Sequence, residues 1–407
     1  MDIISGKLLL KRGRQKSVVN RHPWIFSGAI ERVAGQPEPG DIVDVVGGDG
    51  RFLARGYYNH HSQIRVRILT WDANEEIDAA FWRGRLERAI AGRAALALEP
   101  ATTAYRLVNG ESDGLPGLIV DKYGDYLVIQ CLTLGIDRRK EQFLALLADL
   151  LHPAGIVERS DVDVRAKEGL TEFKGLAWGE MPPPDLVVQE NGIQFGVNLL
   201  GGHKTGLYLD QRANRTAVCQ PHFVADKEIL NVFAYTGGFA LYAAANGAGP
   251  IINVDSSIEA LTQAEGNMAL NGWPDGGSPQ RPSDEYIAGD AFEVLRYYRD
   301  EGRQFDMAIL DPPKFAHSRR DVERATRGYK DLNWLALRLL RPGGLLATFS
   351  CSGRVSADLF QKVVFGAAVD AGREAQIIQY LGQSSDHPIL LTFPESAYLK
   401  GLLCRVW

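Results

Sequence analysis

The sequence is poor in cysteine, and its cysteines form no motif. Only four occur in 407 residues, Cys131, Cys219, Cys351 and Cys404, and they lie far apart without metal-ligand spacing. This distribution excludes a disulfide framework and the usual kind of zinc site. It predicts a protein that binds no metal and works in the reducing cytoplasm.

Long apolar runs and an excess of basic residues are also missing. No run is long enough to span a membrane, and the first residues lack the basic, apolar and small-residue regions of a signal peptide. We therefore expect no membrane partner. The net charge of −5 excludes a protein coated in basic residues, so any nucleic-acid surface must be local.

The length and the local patterns predict three domains, because 407 residues exceed one ordinary core. Residues 1–75 contain short β-rich runs separated by Gly and Pro turns, which is typical of a small β-barrel. Residues 76–185 mix helical and strand patterns, an α+β domain that ends at the stiff spacer Met181 to Pro184. Residues 186–407 alternate strands and helices, which predicts an α/β doubly wound sheet.

Polar or turn residues follow the buried strands of this predicted sheet. The apolar run Met307 to Leu310 has strand length, and the prolines after Asp311 cannot continue a ladder. Five residues each follow a predicted buried strand at its carboxyl end, and we expect them at one edge of the sheet: Gly237, Asp255, Asp290, Asp311 and Cys351. Ligands of open α/β sheets bind at this carboxyl edge. The last runs, Ile389 to Phe393 and Leu399 to Val406, predict an antiparallel hairpin that closes the sheet.

A glycine turn and an acid predict a ligand that contains adenosine. Tyr235-Thr236-Gly237-Gly238 joins a strand to a helix, where glycines let a ligand approach the backbone. Asp255, eighteen positions after Gly237, is suited to accept hydrogen bonds from ribose hydroxyls. It is equally suited to cap the helix that starts near Ser257, and the two roles can coexist. A nicotinamide dinucleotide is disfavoured because Gly-x-Gly-x-x-Gly is missing.

Cys351 and the Asp311-Pro-Pro-Lys-Phe segment are candidates for the chemistry. A thiolate suits attack on a soft, conjugated carbon such as carbon 6 of a pyrimidine, and Phe315 is available to stack on a flat base. The alternatives are that Cys351 is a small buried hydrophobe and that Asp-Pro-Pro only ends a strand. We assign a structural role to the other three cysteines.

The first thirty residues hold a local excess of positive charge. The basic residues predicted to form a phosphate-binding surface are Lys11, Arg12, Arg14, Lys16 and Arg21. Arg65 and Arg67 would extend this surface, since residues two apart on a strand point to the same face. The alternative is a solvated basic face without a partner.

Taken together, these motifs resemble those of a known family. The segments concerned are Asn231-Val-Phe-Ala-Tyr-Thr-Gly-Gly-Phe, Val254-Asp255, Gly289-Asp290-Ala291, Asp311-Pro-Pro-Lys-Phe, Ser350-Cys-Ser, Tyr58-Asn59, Glu111-Ser-Asp-Gly-Leu-Pro-Gly-Leu-Ile-Val-Asp, Glu158-Arg-Ser-Asp and His203-Lys-Thr-Gly-Leu-Tyr-Leu-Asp-Gln-Arg. They are similar to those of the bacterial 23S ribosomal RNA large-subunit (cytosine-5) methyltransferases. That family has an N-terminal PUA domain and a class I, S-adenosylmethionine-dependent methyltransferase domain.

The resemblance implies the cofactor, the partner and the site. The implied cofactor is S-adenosylmethionine, and the implied partner is large-subunit ribosomal RNA. Whether the protein forms a homodimer is left open. The cofactor-binding residues, including the loop around Lys204 to Arg212, are Gln211, Arg212, Phe233, Tyr235, Thr236, Gly237, Gly238, Asp255, Asp290, Ala291 and Asp311. The catalytic residues are Cys351 and Asp311, while Lys314 and Phe315 join the basic residues in RNA binding. The cysteine that other RNA cytosine methyltransferases carry after Asp-Pro is missing here, which leaves the base that removes the carbon 5 proton unidentified.

The predicted function is methylation of carbon 5 of a cytosine in ribosomal RNA through a covalent Cys351 adduct. Two alternatives remain. One keeps the fold and the cofactor but methylates a purine nitrogen, and the other is a non-catalytic RNA-binding or ribosome-assembly factor.

Overall fold

The computed structural model describes residues 4–97, 101–201, 206–273, 283–316 and 319–407. The chain divides into two compact units. The first contains Met1–Val188, Val197–Leu207 and Asp386–Ser396, and the second contains Gln189–Gly196, Tyr208–Ser385 and Ala397–Trp407. The chain therefore changes unit after residues 188, 196, 207, 385 and 396.

The first unit contains two sheets. The strands of the first sheet are β1 (Ile4–Leu10), β2 (Trp24–Phe26), β3 (Ile30–Gly35), β4 (Ile42–Val46), β5 (Phe52–Tyr58) and β6 (Ile64–Thr70), in the order β2-β6-β5-β4-β1-β3. The strands of the second sheet are β7 (Ala104–Asn109), β8 (Leu118–Tyr123), β9 (Tyr126–Cys131), β10 (Gly155–Arg159) and β11 (Lys174–Gly179), in the order β11-β10-β9-β8-β7. The helices are α1 (Lys16–Val19), α2 (Ala79–Ala91), α3 (Ala94–Ala97), α4 (Leu134–Asp137) and α5 (Lys140–Leu151).

Arg67 does not extend the basic surface, and that prediction is wrong. Its side chain is buried and forms ion pairs with Glu111 at 3.2 Å and Glu168 at 2.8 Å. Both carboxylates come from the segment after residue 75, so they are distant in sequence. A buried guanidinium needs such partners because an unpaired buried charge is very costly.

The second unit is built on one seven-stranded sheet. Its strands are β14 (Ile229–Val232), β15 (Ile251–Asp255), β16 (Glu285–Ala288), β17 (Phe305–Leu310), β18 (Leu340–Ser350), β19 (Ala375–Gly382) and β20 (Lys400–Val406); a separate hairpin, β12 (Leu186–Glu190) and β13 (Ile193–Val197), precedes it. Its helices are α6 (Arg212–Val218), α7 (Pro221–Val224), α8 (Gly238–Ala245), α9 (Ile258–Leu270), α10 (Ala291–Asp300), α11 (Val322–Leu339) and α12 (Ala357–Ala371).

The strand order, β16-β15-β14-β17-β18-β20-β19, is that of a doubly wound α/β sheet with an antiparallel end. Strands β14 to β18 pair in parallel, and β20 is antiparallel to both neighbours. Residues on both faces of the parallel strands are buried, among them Leu230, Ile309 and Leu346. Their apolar runs are continuous because helices cover both faces. The predicted fold class is confirmed.

The predicted terminal hairpin is wrong in its first strand. β20 pairs with β18 and β19, whereas residues 389–393 form no strand. Those residues belong to the first unit, where the ring of Phe393 packs against Trp24 with centroids 4.6 Å apart. Within the described ranges, no helix is both long and apolar enough to cross a membrane.

Candidate active site

The carboxyl edge of the parallel sheet places several predicted residues in one layer. Val232 pairs with Val254 on one side and with Leu310 on the other, so Asp255 and Asp311 each lie one residue beyond the same row. Leu310 pairs in turn with Thr348, which places Cys351 three residues beyond that row. The prolines after Asp311 end β17 as predicted, since proline cannot donate to a ladder.

The turn after β14 has an unusual backbone. Phe233, Tyr235 and Gly237 have positive φ angles of 62°, 49° and 82°. Such angles cost energy for residues with a side chain, and in folded proteins they concentrate at ligand sites. Gly237 is the N-cap of α8, so the turn places the free N–H groups of a helix start at the sheet edge. Thr236 is buried and Gly238 is half-buried in the same turn.

Asp255 joins this turn to the start of α9. One carboxylate oxygen accepts a hydrogen bond from the Tyr235 N–H at 2.8 Å, and the other accepts one from the Ser257 N–H at 2.9 Å. Ser257 is itself the N-cap, because its hydroxyl accepts from the Ala260 N–H at 3.1 Å. The alternative of Asp255 as the helix cap is therefore wrong. Its carboxylate is half-buried and held at both oxygens.

Asp290 has a local structural role that the sequence analysis did not assign. It is exposed, and its Oδ1 caps α10 by accepting from the N–H groups of Phe292 at 2.9 Å and Glu293 at 3.1 Å. Ala291, the first residue of that helix, is buried. Contact of Asp290 and Ala291 with the cofactor stays a prediction.

The loop before α6 contains Tyr208, which the sequence analysis included in the predicted cofactor loop but did not single out. Gln211 and Arg212 of the predicted loop are buried, while Lys204 lies outside the described residues. The rings of Tyr208 and Tyr235 meet edge to face with centroids 5.1 Å apart.

Tyr208 interacts electrostatically with both predicted catalytic residues. Burial raises the pKa of Tyr208, and repulsion from Asp311, Tyr235, Asp210 and Cys351 in their ionised forms raises it further. The phenol is therefore neutral at pH 7. Asp311 is half-buried, and it follows β17 as Cys351 follows the neighbouring strand β18, so both residues lie at the same part of the sheet edge.

Cys351 differs from the other three cysteines in its exposure. It is partly exposed, whereas Cys131, Cys219 and Cys404 are buried. Burial raises the pKa of each of these three thiols, that of Cys404 to about 12. A thiol of that kind is unreactive at neutral pH. Cys351 is thus the accessible thiol of the chain.

The residues around Cys351 are held firmly. Ser350 and Ser352 are both buried, and the Ser352 hydroxyl is 3.0 Å from the Tyr329 hydroxyl of α11. The same Ser352 oxygen accepts from the N–H of Ala316, which follows β17, at 3.3 Å. The loop after β18 is therefore attached to both α11 and the Asp-Pro-Pro segment.

Lys314 and Phe315 follow the prolines after β17, and Lys314 is exposed. Phe315 is half-buried and packs on Tyr329, with ring centroids 4.7 Å apart. Its stacking on a substrate base stays a prediction.

The basic residues of the first unit are all on its surface: Lys11, Arg12, Arg14, Lys16 and Arg21 are exposed. The guanidinium of Arg21 lies 5.3 Å from the centre of the Trp71 ring. A phosphate-binding surface must be exposed, but a basic face without a partner is exposed as well. Exposure therefore does not distinguish the two alternatives.

Two further residues near Cys351 had no signal in the sequence. Tyr329 lies inside an ordinary amphipathic helix, and Lys400 is one polar residue at the start of a strand. Tyr208 could have been found, because it lies in the quoted segment that begins at His203. In the part of the chain that the structure describes, no group of His, Cys, Asp and Glu could hold a metal ion.

Gly237→Ala should destabilise the protein, because alanine rarely adopts a φ of 82° and its Cβ would lie 3.0 Å from the Cβ of Ala264. We expect a loss of about 1–2 kcal/mol in the free energy of unfolding, measured by urea denaturation. Gly266→Ala is the matched control, since Gly266 is an exposed position of α9 where the added methyl meets no neighbouring group within 4 Å. That variant should be neutral or slightly stabilised. Equal stability of the two variants would contradict the strained turn.

Family models match two stretches of the chain. A model of PUA-like domains matches residues 8–71, and a model of S-adenosylmethionine-dependent methyltransferases matches residues 177–405. Two relatives share the name ribosomal RNA large subunit methyltransferase I. The protein of Shewanella amazonensis is 51% identical over 99% of this chain and 100% of its own length. That of Klebsiella pneumoniae is 46% identical over 100% of this chain and 99% of its own length.

Solved structures match over nearly the full length. A SAM-dependent methyltransferase from Streptococcus mutans superposes with a TM-score of 0.84 at 21% identity, covering 99% of this chain and 100% of the other. A methyltransferase solved in complex with SAH, SMU.776, gives a TM-score of 0.86 at 21% identity with the same coverage. At this identity the likeness establishes the fold.

Proposed function

The chain belongs to the family of ribosomal RNA large subunit methyltransferase I, and from that premise we propose that it methylates carbon 5 of a cytosine in large-subunit ribosomal RNA through a covalent Cys351 adduct. It carries a PUA-like domain and an S-adenosylmethionine-dependent methyltransferase domain. Its cofactor is S-adenosylmethionine, which supplies an electrophilic methyl group on a positively charged sulfur.

The side chains at the sheet edge fit this cofactor. Asp255 presents a half-buried carboxylate whose orientation is fixed by two backbone N–H groups, as ribose recognition requires. Tyr208 contacts the ring of Tyr235 and interacts electrostatically with the carboxylates of Asp210 and Asp311. Negative charge and aromatic faces suit a cationic sulfur.

One observation carries the proposal: the accessible thiol of the chain lies at the carboxyl edge that also holds Asp311. The Cys351 thiolate forms a bond to carbon 6 of the flipped base, and the electron pair of the carbon 5–carbon 6 double bond moves towards carbon 5. Carbon 5 then bonds to the methyl group of S-adenosylmethionine as the methyl–sulfur bond breaks, and the sulfur leaves with that electron pair as the neutral thioether of S-adenosylhomocysteine. Loss of the carbon 5 proton to a base restores the double bond and expels the thiolate. In this scheme Asp311 holds the base edge and supplies a proton to N3 of the cytosine as the thiolate adds, and it takes that proton back when the thiolate is expelled.

RNA binding is proposed for two surfaces. Residues 1–75 would bind phosphates through the exposed basic residues from Lys11 to Arg21. Lys314 would contact the strand that carries the target base, and Phe315 would offer it a ring.

RNA that contains 5-fluorocytidine tests the covalent step. Fluorine at carbon 5 cannot leave as a proton does, so the Cys351–carbon 6 bond should persist and yield a protein–RNA adduct that survives denaturing electrophoresis. The target nucleotide comes first from mass mapping of ribosomal RNA in cells that lack the protein. Peptide mass spectrometry should place the adduct on Cys351, and ordinary RNA and Cys351→Ala should give none. Methylation of a purine nitrogen without any adduct would refute the proposal, as would failure to bind S-adenosylmethionine.

A further inference from the structure

The amino group of Lys400 is bonded to the loop that carries Cys351. Lys400 is the first residue of β20 and lies opposite Ser350 in the pairing with β18. Its Nζ donates hydrogen bonds to the carbonyl oxygens of Ser352 and Val355, each at 2.7 Å. An ammonium group has three N–H donors, so two of them hold this loop. The positive charge is therefore fixed beside the loop that carries the thiol.

Lys400 and Cys351 also interact through space. Burial lowers the pKa of Lys400 to about 8, while a Cys351 thiolate acts to raise it and Lys314 acts to lower it. Because this pKa lies above 7, the amine is mainly protonated at neutral pH. The interaction of two charges is reciprocal, so the cation must favour the thiolate by the same free energy.

We propose that Lys400 is a positioning residue for Cys351: its ammonium group holds the loop after β18 and favours the thiolate over the thiol at neutral pH. The inference rests on the proposed function, in which Cys351 is the nucleophile. The proton that leaves the thiol passes to solvent, and Lys400 keeps its own.

Four other groups of this part of the sheet edge, Tyr208, Tyr329, Asp311 and Lys314, do not supply this charge. Tyr208 and Tyr329 interact with Cys351, but burial raises the pKa of both phenols, so both are neutral at pH 7. Asp311 also interacts with Tyr208, and its negative charge opposes thiolate formation. Lys314 is exposed, so solvent screens its charge strongly.

The pH dependence of Cys351 alkylation in the full-length protein tests the proposal. Iodoacetamide reacts with the thiolate, so the rate followed by peptide mass spectrometry gives the midpoint of thiol ionisation. Lys400→Met should raise this midpoint by about one pH unit, and alkylation at pH 7 should slow about tenfold. Lys400→Arg keeps the charge and should keep the midpoint. Lys362→Met, an exposed lysine on α12 paired with Asp358, is the matched control and should change nothing.

Lys400→Gln separates the charge from the hydrogen bonds. Its amide retains two N–H donors without a positive charge, so it should raise the midpoint as Lys400→Met does. If Lys400→Met fails to fold, Lys400→Gln still tests whether the charge of Lys400 lowers the midpoint of Cys351 ionisation. A folded neutral variant with an unchanged midpoint would overturn the proposal. The assay uses neither RNA nor S-adenosylmethionine, so its outcome is independent of whether Cys351 attacks a pyrimidine.

Discussion

Cys351→Ala should lower the rate of methyl transfer by more than about a thousandfold while leaving the affinity for S-adenosylmethionine nearly unchanged. Carbon 5 of cytosine is a weak nucleophile until a thiolate adds at carbon 6, so no other residue can replace the lost sulfur. Cofactor affinity should persist because Asp255 ends β15, and two strands, β14 and β17, separate it from β18. Transfer of a radiolabelled methyl group gives the rate, and calorimetry gives the affinity.

Cys404→Ala is the matched control for the loss of a thiol. Cys404 lies on β20 of the same sheet, is buried and pairs with Leu346 of β18. Its replacement should reduce stability by about 1 kcal/mol through lost packing and leave methyl transfer intact. Retained methylation in Cys351→Ala would eliminate covalent catalysis by this thiol and would favour a purine nitrogen as the acceptor.

Arg215→Ala should lower the free energy of unfolding by about 3–5 kcal/mol, because it leaves the Glu190 carboxylate buried without its main partner. The Arg215 guanidinium donates to both Glu190 oxygens, at 2.8 and 2.7 Å, and to the Tyr208 carbonyl at 3.1 Å. Tyr242 donates to the same carboxylate at 3.0 Å. The Arg215 side chain also lies against the turn that starts α8, because a Cβ added at Gly238 would be 3.2 Å from it. Urea denaturation measures the loss.

Arg327→Ala is the control for this ion pair. Arg327 and Glu323 are 3.5 Å apart on α11, with both side chains largely exposed, so its removal should change stability by less than about 0.5 kcal/mol. Replacing both Glu190 and Arg215 by apolar residues of similar volume should cost less than Arg215→Ala alone. A double variant as unstable as the sum of the single variants would show that the charges contribute independently.

The sheet edge was predictable because its signals are local. An apolar run followed by Asp-Pro-Pro marks the end of β17, and parallel strands align their carboxyl ends whatever their order along the chain. The positions of Asp255 and Asp311 at the ends of their strands could therefore be predicted from the residues next to them in the sequence.

The errors have two kinds of cause, contacts between residues distant in sequence and strands that lack the buried pattern. Arg67 has the alternation of a surface strand, yet Glu111 and Glu168 bury it. β19 was missed because it is an edge strand that leaves Ile378 and Tyr380 exposed, so it lacks the pattern of a buried strand. Lys400 becomes informative only when β20 is placed beside β18.

The interleaved order of the two units bears on biosynthesis. The backbone of Asp386 accepts a hydrogen bond from Arg93 at 2.8 Å, its carboxylate accepts one from the Arg106 N–H at 2.9 Å, and the Pro388 carbonyl accepts from Asn109. These partners belong to the first unit, but residues 208–385 must be translated before Asp386 emerges from the ribosome. Until most of the second half has been translated, the Arg93 guanidinium and the Arg106 backbone N–H of the nascent chain therefore lack their hydrogen bonds to Asp386. If the chain were expressed as two halves divided near residue 185, the first half would contain these donors without Asp386 and Pro388, and the second would contain the acceptors without Arg93, Arg106 and Asn109.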